Sequence, residues 1–254
     1  MKTFFERLTS DALSILPKSL TVPIKKHTAE MAYWEKKHSE SAGVLDNGHY
    51  RYFYTSHFAI DPEEYSDRAV LDIGCGPRGS LEWADNAKER VGLDPLVNRY
   101  RKLGIGAHRM RYVCAPSEKI PFPEEYFDFV ASFNSLDHVD DVDKTLSEIT
   151  RVLKKKGTFL LITEINHPPT PNEPHTLTEE LIDRLSRDFT PATVQLTAIR
   201  SDHDIYRSLR EGIPYIPGPN VNPGILSAWL IRKPTLASQA EQSGTRPSEV
   251  KGVR

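Results

Sequence analysis

Residues 70–79 read VLDIGCGPRG, and no other stretch of the chain constrains its fold as strongly. The apolar pair Val70 and Leu71 leads through Asp72 into a turn that holds Gly74, Gly76 and Gly79. A short apolar run closed by glycines suits a buried strand, and glycine lets a backbone approach a ligand where a Cβ would stand in the way. Strand, glycine turn and following helix make the opening of a nucleotide-cofactor site in an open α/β sheet. Gly74-x-Gly76-x-x-Gly79 matches the dinucleotide fingerprint, and Asp94 stands 20 residues beyond Gly74, where such a site wants an acid for a ribose hydroxyl.

Asp72 points to a different ligand. It ends the strand beside the turn, where a carboxylate would repel a pyrophosphate and attract a cation. S-adenosylmethionine carries a sulfonium and an ammonium and no phosphate, so it suits this turn better than a nicotinamide dinucleotide does.

The chain has 254 residues, enough for one large domain or one domain with a cap. Its 33 basic and 35 acidic residues leave a net charge of −2, so no strong basic field exists and a nucleic-acid backbone is not an expected partner. Cys75 and Cys114 make no disulfide framework. No signal peptide and no apolar run of membrane-spanning length are visible, and a cytoplasmic protein is expected.

Phe4, Phe5, Leu8, Ala12, Ile15 and Leu16 fall at helical spacing, and Pro17 and Pro23 punctuate the chain beyond Leu16. This segment reads as a helix that packs on the domain or covers its site. Peripheral membrane contact through Lys18, Lys25 and Lys26 is the alternative. Trp34, His38, His49, Tyr50, Tyr52, Phe53 and Tyr54 form an aromatic segment before the first strand. The division expected is a cap over 1–65, a catalytic domain over 66–234 and a disordered tail over 235–254.

Residues 66–165 alternate strand and helix, which predicts a parallel sheet with helices on both faces. The clearest helix spans 141–156, with Val142, Leu146, Ile149 and Leu153 on one stripe, Asp140 or Asp141 at its start, Lys154–Lys156 at its end and Gly157 closing it. NHPPTPNEPH at 166–175 is too rich in proline for a regular element and leaves the C-terminal end of a strand, where open α/β sheets bind ligands. A helix from Thr178 to Arg187, a strand over 191–199, a loop over 212–224 and a strand near 225–232 complete the reading.

VLDIGCG at 70–76, RVGLDPL at 90–96, APSEKIPFPEEYFDFV at 115–130, SFNSLDHVDD at 132–141 and LSEITRVLKKKGTFLLI at 146–162 follow one another in order. In that order and spacing the chain resembles the class I S-adenosylmethionine-dependent methyltransferases, in the branch that acts on small molecules. The resemblance covers 66–165 and the strand near 225–232. It implies a Rossmann-like, doubly wound α/β fold: a mostly parallel seven-stranded sheet with an antiparallel terminal strand. It also implies an N-terminal segment that folds over the cofactor, although the aromatic residues there would equally serve to anchor it to the core.

The cofactor residues that the resemblance implies are the backbone of Gly74, Cys75 and Gly76, with Asp72 near the ammonium or capping the turn. Asp94 would accept hydrogen bonds from the ribose diol, and Leu93 or Pro95 would flank the adenine. Pro116 occupies the position where relatives carry an acid for the adenine amine, so backbone groups of Ala115 or Ser117 would serve instead, and Glu118 reads as structural. Asn134 would face the methionine end. An alcohol acceptor must lose a proton, and histidine has the ordinary pKa nearest that task. His138 is the first candidate base, His167 and His175 follow, and Glu164 comes after them. Asp137, Asp140, Asp141 and Asp143 double as helix-start residues without an EF-hand spacing, and no metal is expected.

The expected activity is O-methylation of a small or lipid-linked acceptor, a sugar hydroxyl foremost. C-methylation of a quinone-type ring and N-methylation are the alternatives within the class. A nicotinamide oxidoreductase and a non-catalytic cofactor-binding protein stand outside it.

Overall fold

The computed structural model describes residues 18–216 and 222–234. The Phe4–Leu16 face and the 235–254 tail therefore lie outside the described residues. Seven strands, β1 (Ala69–Ile73), β2 (Glu89–Leu93), β3 (Arg111–Val113), β4 (Phe127–Phe133), β5 (Leu153–Ile165), β6 (Phe189–Ala198) and β7 (Gly224–Arg232), form one sheet in the order β3-β2-β1-β4-β5-β7-β6. β1 to β5 run parallel, and β7 enters antiparallel between β5 and β6. This is the Rossmann-like sheet expected.

Alternation along β1 sends Val70 and Asp72 to one face and Leu71 and Ile73 to the other. Leu71 and Ile73 join a core with Val130, Phe159, Leu161 and helix α4 (Val142–Val152), as well as α5 (Leu181–Leu185). Val70 joins Phe129, Phe133 and Ile162 beneath the aromatic segment, where α2 (Tyr50–Tyr54) supplies Tyr50, Phe53 and Tyr54, and α6 (Ile205–Glu211) supplies Ile205 and Leu209. The aromatic residues thus anchor the segment to the sheet, and Asp72 lies on their side of it. Helix α1 (Lys18–Glu40) runs on through Pro23, which removes one N–H near the start of the helix and does not end it.

Three details differ from the sequence reading. Among the described residues no helix joins β1 to β2; residues 74–88 form turns instead. A helix returning along a five-residue strand, roughly 16 Å, needs about 11 residues. Only nine residues, 80–88, separate Gly79 from β2. Arg90 steadies the turns by donating to the Leu81 and Glu82 carbonyls at 3.3 and 3.1 Å.

Helix α4 also ends at Val152, capped at its start by Asp141, whose carboxylate accepts from Lys144 N at 3.0 Å. Its buried stripe is Val142, Thr145, Ile149 and Val152, while Leu153 already belongs to β5. Lys154–Lys156 therefore lie in the strand rather than at the end of the helix, and Lys156 takes the left-handed turn (φ 61°) expected of Gly157. Gly157 is needed for close approach: a Cβ there would lie 2.8 Å from Lys154 O and 3.0 Å from Asp128 O. The third difference is the helix after Thr178, which is only α5, five residues long.

Candidate active site

Parallel strands bring the C-terminal ends of β1, β2, β4 and β5 to one edge of the sheet. Asp72 and Asp94 are both buried there, at 4 % exposure each. The Ser80 hydroxyl donates to Asp72 Oδ2, and the Tyr54 hydroxyl faces the same carboxyl without closing a well-formed hydrogen bond. Burial pushes the Asp72 pKa up to about 7, and Ser80 and Tyr54 hold it back from rising further. Asp94 Oδ1 accepts from Leu96 N at 2.8 Å and Oδ2 from Gly76 N at 3.2 Å, so this acid ties the end of β2 to the glycine turn. Burial, with the charge of Glu30 added, pushes its pKa up to about 7 against those backbone donors.

The glycines serve this packing directly. Gly74 sits at φ 68°, and a Cβ on it would lie 2.3 Å from the Ser135 Cβ; the Ser135 hydroxyl in turn donates to Ile73 O at 2.8 Å. Gly76 sits at φ 56°, and its Cβ would lie 3.0 Å from the Trp34 ring. The Cys75 side chain points at β2, where a Cβ on Gly92 would meet its sulfur at 2.7 Å, which leaves only its backbone toward a ligand. Burial pushes the Cys75 thiol well above its ordinary pKa.

Helix α1 lies across the turn. Trp34 covers Gly76, and Met31 is buried against Leu96, Val97 and Tyr100, the last two on α3 (Val97–Tyr100). Lys26, at 7 % exposure, pairs with Asp140 at 3.1 Å and fastens the helix near the end of β4. Arg78, the cation of the glycine turn, stacks over Trp34 at 5.5 Å and donates to Asp46 O at 2.7 Å.

Beyond the turn the expected residues divide. Asn134 follows β4 in a left-handed conformation (φ 51°), held by its N–H on Ile162 O at 2.7 Å, and its side-chain oxygen is buried without a hydrogen-bond partner. The Ser117 hydroxyl lies 2.9 Å from Thr145 Oγ1, so that side chain is turned to α4 and away from the cofactor side. Ala115 packs against the core, and Pro95 is exposed with its carbonyl accepting from Cys114 at 3.3 Å. Glu118 is structural, as expected: its Oε1 accepts from Asp140 N and Asp141 N at 2.7 and 3.0 Å and fixes the entry to α4.

The histidines divide as well. His138 Nε2 lies 3.6 Å from Glu173 Oε1, and His167 Nδ1 lies 3.9 Å from Glu173 Oε2. His175 does not join them. Its Nε2 stands 3.0 Å from Val139 O, a contact that fastens the proline-rich loop to the segment after β4. Asp137, at 4 % exposure, faces the same group; burial raises its pKa, and the neighbouring imidazoles of His138 and His167 oppose the rise. Glu164, at the end of β5, has one carboxylate oxygen buried without a partner, and burial raises its pKa too. Of the acid run, only Asp137 enters this cluster: Asp140 pairs with Lys26, Asp141 caps α4, and Asp143 pairs with Arg184.

The sequence reading missed Glu173 and Ser80, and it placed Trp34 and Tyr54 in the aromatic segment without a separate role for either. Glu173 carried a usable signal, being an acid between prolines and flanked by histidines in the loop after β5. The other three owe their positions to long-range packing. The donor set fits S-adenosylmethionine. Two buried carboxylates suit a cation and a diol, and the unpartnered Asn134 oxygen at the end of β4 is free to accept from an ammonium.

The methyltransferase domain family profile matches residues 71–161. An uncharacterised methyltransferase of Bacillus subtilis, YcgJ, is 25 % identical over 183 residues, which is 70 % of each chain. The ubiquinone/menaquinone biosynthesis C-methyltransferase UbiE of Ectopseudomonas mendocina is 34 % identical over 144 residues, 56 % of this chain. The match spans 51 % of that relative, about half its length. In fold, the chain is similar to the 1,6-didemethyltoxoflavin-N1-methyltransferase of Burkholderia thailandensis. The TM-score is 0.52 at 18 % identity, covering 86 % of this chain and 94 % of the other.

Proposed function

We propose that the chain is a class I S-adenosylmethionine-dependent methyltransferase, with S-adenosylmethionine as cofactor, and that it methylates a hydroxyl oxygen of a small, polar acceptor, a sugar foremost; the methyltransferase domain match over residues 71–161 and the similarity to YcgJ and UbiE support the family. The observation that carries this reading is the cluster at the ends of β4 and β5. There His138 and His167 flank Glu173, and Asp137 and Glu164 stand beside them. Such a wall suits a polyol, because ionised carboxylates accept hydrogen bonds from hydroxyls and an imidazole takes a proton near neutral pH.

On this reading Asp94 binds the ribose diol and Asp72 the ammonium, with Asn134 beside the methionine end. The backbone at 74–76 supports the cofactor's length, and helix α1 closes over it through Trp34. The sulfonium is already a strong electrophile, so the protein's main contribution is in-line placement of donor and acceptor. The methyl carbon passes from sulfur to the acceptor oxygen. Sulfur keeps the bonding electron pair, and an imidazole of the cluster takes the hydroxyl proton.

C-methylation of a quinone-type ring is the second reading, favoured by the 34 % identity to UbiE. The polar wall favours the first. Calorimetric titration with S-adenosylhomocysteine, with NADH as control, tests the cofactor side; micromolar binding of the former alone is expected. Transfer of labelled methyl to sugars, measured beside quinols, tests the acceptor side. Labelling of quinols with no labelling of any sugar would overturn the O-methylation reading.

A further inference from the structure

Methyl transfer from a sulfonium does not itself call for the arrangement at the end of β4. Asp137, His138 and Glu173 each offer an atom, and these atoms all lie within 4.8 Å of one another. Asp137 is 4 % exposed, and its Oδ1 is buried without a hydrogen-bond partner. His138 Nε2 is unpartnered in the same way. A buried carboxylate oxygen left unpaired beside a second carboxylate is costly, and coordination to a cation is one of the few ways to offset it.

The loop that brings Glu173 is built to hold it still. Thr170 Oγ1 donates to Glu173 Oε2 at 2.9 Å, which leaves Oε1 toward His138. Thr170 Oγ1 also accepts from Glu173 N at 3.0 Å, and Thr170 N donates to Glu173 O at 2.9 Å. Pro168, Pro169, Pro171 and Pro174 restrict the backbone on both sides. A hydrogen bond that orients a ligand from outside is a regular feature of metal sites.

We propose that Asp137, His138 and Glu173 bind a divalent first-row transition ion: manganese, iron, cobalt or zinc. An imidazole among the donors argues against magnesium and calcium, which prefer oxygen alone. Ligands about 2.1 Å from a tetrahedral ion stand about 3.4 Å apart. The cluster therefore closes on an ion by side-chain shifts of roughly an ångström. Three protein donors leave coordination positions open, as in catalytic rather than structural sites. That those positions take an acceptor oxygen rests on the methyl-transfer reading, and His167 is then the imidazole that receives the proton. Binding of the ion does not rest on that reading.

The test uses the full chain after removal of metal with a chelator. Titration with cobalt(II), followed by its visible absorption bands, reads binding without any assay of activity. One equivalent is expected, with Kd micromolar or tighter. His138→Ala, Glu173→Gln and Asp137→Asn should each weaken it at least tenfold, and His38→Ala should leave it unchanged. Circular dichroism melts check that each variant is folded, and the near-isosteric Asp137→Asn and Glu173→Gln decide the outcome if His138→Ala is not. Absence of saturable binding, or binding that survives all three substitutions, overturns the site. Titration with S-adenosylhomocysteine runs in parallel. Its binding without cobalt binding sinks the ion site alone, and cobalt binding without it sinks the methyl-transfer reading alone.

Discussion

Gly74→Ala tests how the cofactor turn is built. Two separate penalties act at this residue. The left-handed backbone (φ 68°) disfavours any residue with a Cβ by roughly 1–2 kcal/mol. The added Cβ would also lie 2.3 Å from the Ser135 Cβ, which is fixed close to its own backbone and cannot swing aside. Overpacking of that kind costs about 1–3 kcal/mol. The two together predict a loss of about 2–5 kcal/mol. For a chain of this size each kcal/mol lowers Tm by roughly 2–4 °C.

Urea denaturation of the single variants and the Gly74→Ala/Ser135→Gly pair separates the penalties. Ser135→Gly by itself is destabilising, because the hydroxyl donates to Ile73 O at 2.8 Å. In its background, however, Gly74→Ala should cost only the backbone share, about 1–2 kcal/mol. A cost below about 1 kcal/mol in the wild-type background would refute the reasoning, and so would an equal cost in both backgrounds.

The two site acids make stability depend on pH. Burial raises both Asp72 and Asp94 from 3.8 to about 7, so the folded chain holds protons that the unfolded chain has released. Their contribution is full below about pH 4 and is lost as pH rises to about 7, so the cofactor-free protein should lose stability over that window. Melting curves in which Asp72→Asn and Asp94→Asn leave the slope intact would contradict this. Because a cation and a diol select the ionised acids, S-adenosylhomocysteine should bind more weakly at pH 5.5 than at pH 8, which calorimetry at both values checks. Asp94→Asn should weaken that binding by about 10- to 100-fold, the loss expected for charge-assisted hydrogen bonds. His138→Ala should lower turnover with the true acceptor by about 100-fold while leaving S-adenosylhomocysteine affinity within about twofold; near wild-type turnover would remove His138 from the reaction.

Much of the donor half is legible in the sequence. Val70–Gly76 announces a buried strand and a glycine turn through local chemistry alone, and Asp72 and Asp94 stand where their strands end, because strand length and turn residues are short-range properties. The sheet topology came instead through the family resemblance that the order of the five motifs carries. Tertiary structure decided what each side chain does once it is there. Ser135 fills the space beside Gly74, Trp34 covers Gly76, and Ser117 turns to Thr145, all through contacts between residues distant in sequence. The missing helix after β1 is a matter of length against the path back along the strand, and the register at Gly157 follows from backbone atoms of β4 and β5.

The acceptor half shows the limit most clearly. Asp137 and His138 lie next to each other in sequence, but Glu173 reaches them from another loop, held by Thr170 and four prolines. Periodicity and spacing report how a chain turns locally. Which carboxylate meets which imidazole depends on where two loops are set by the sheet beneath them, and only the folded chain contains that distance.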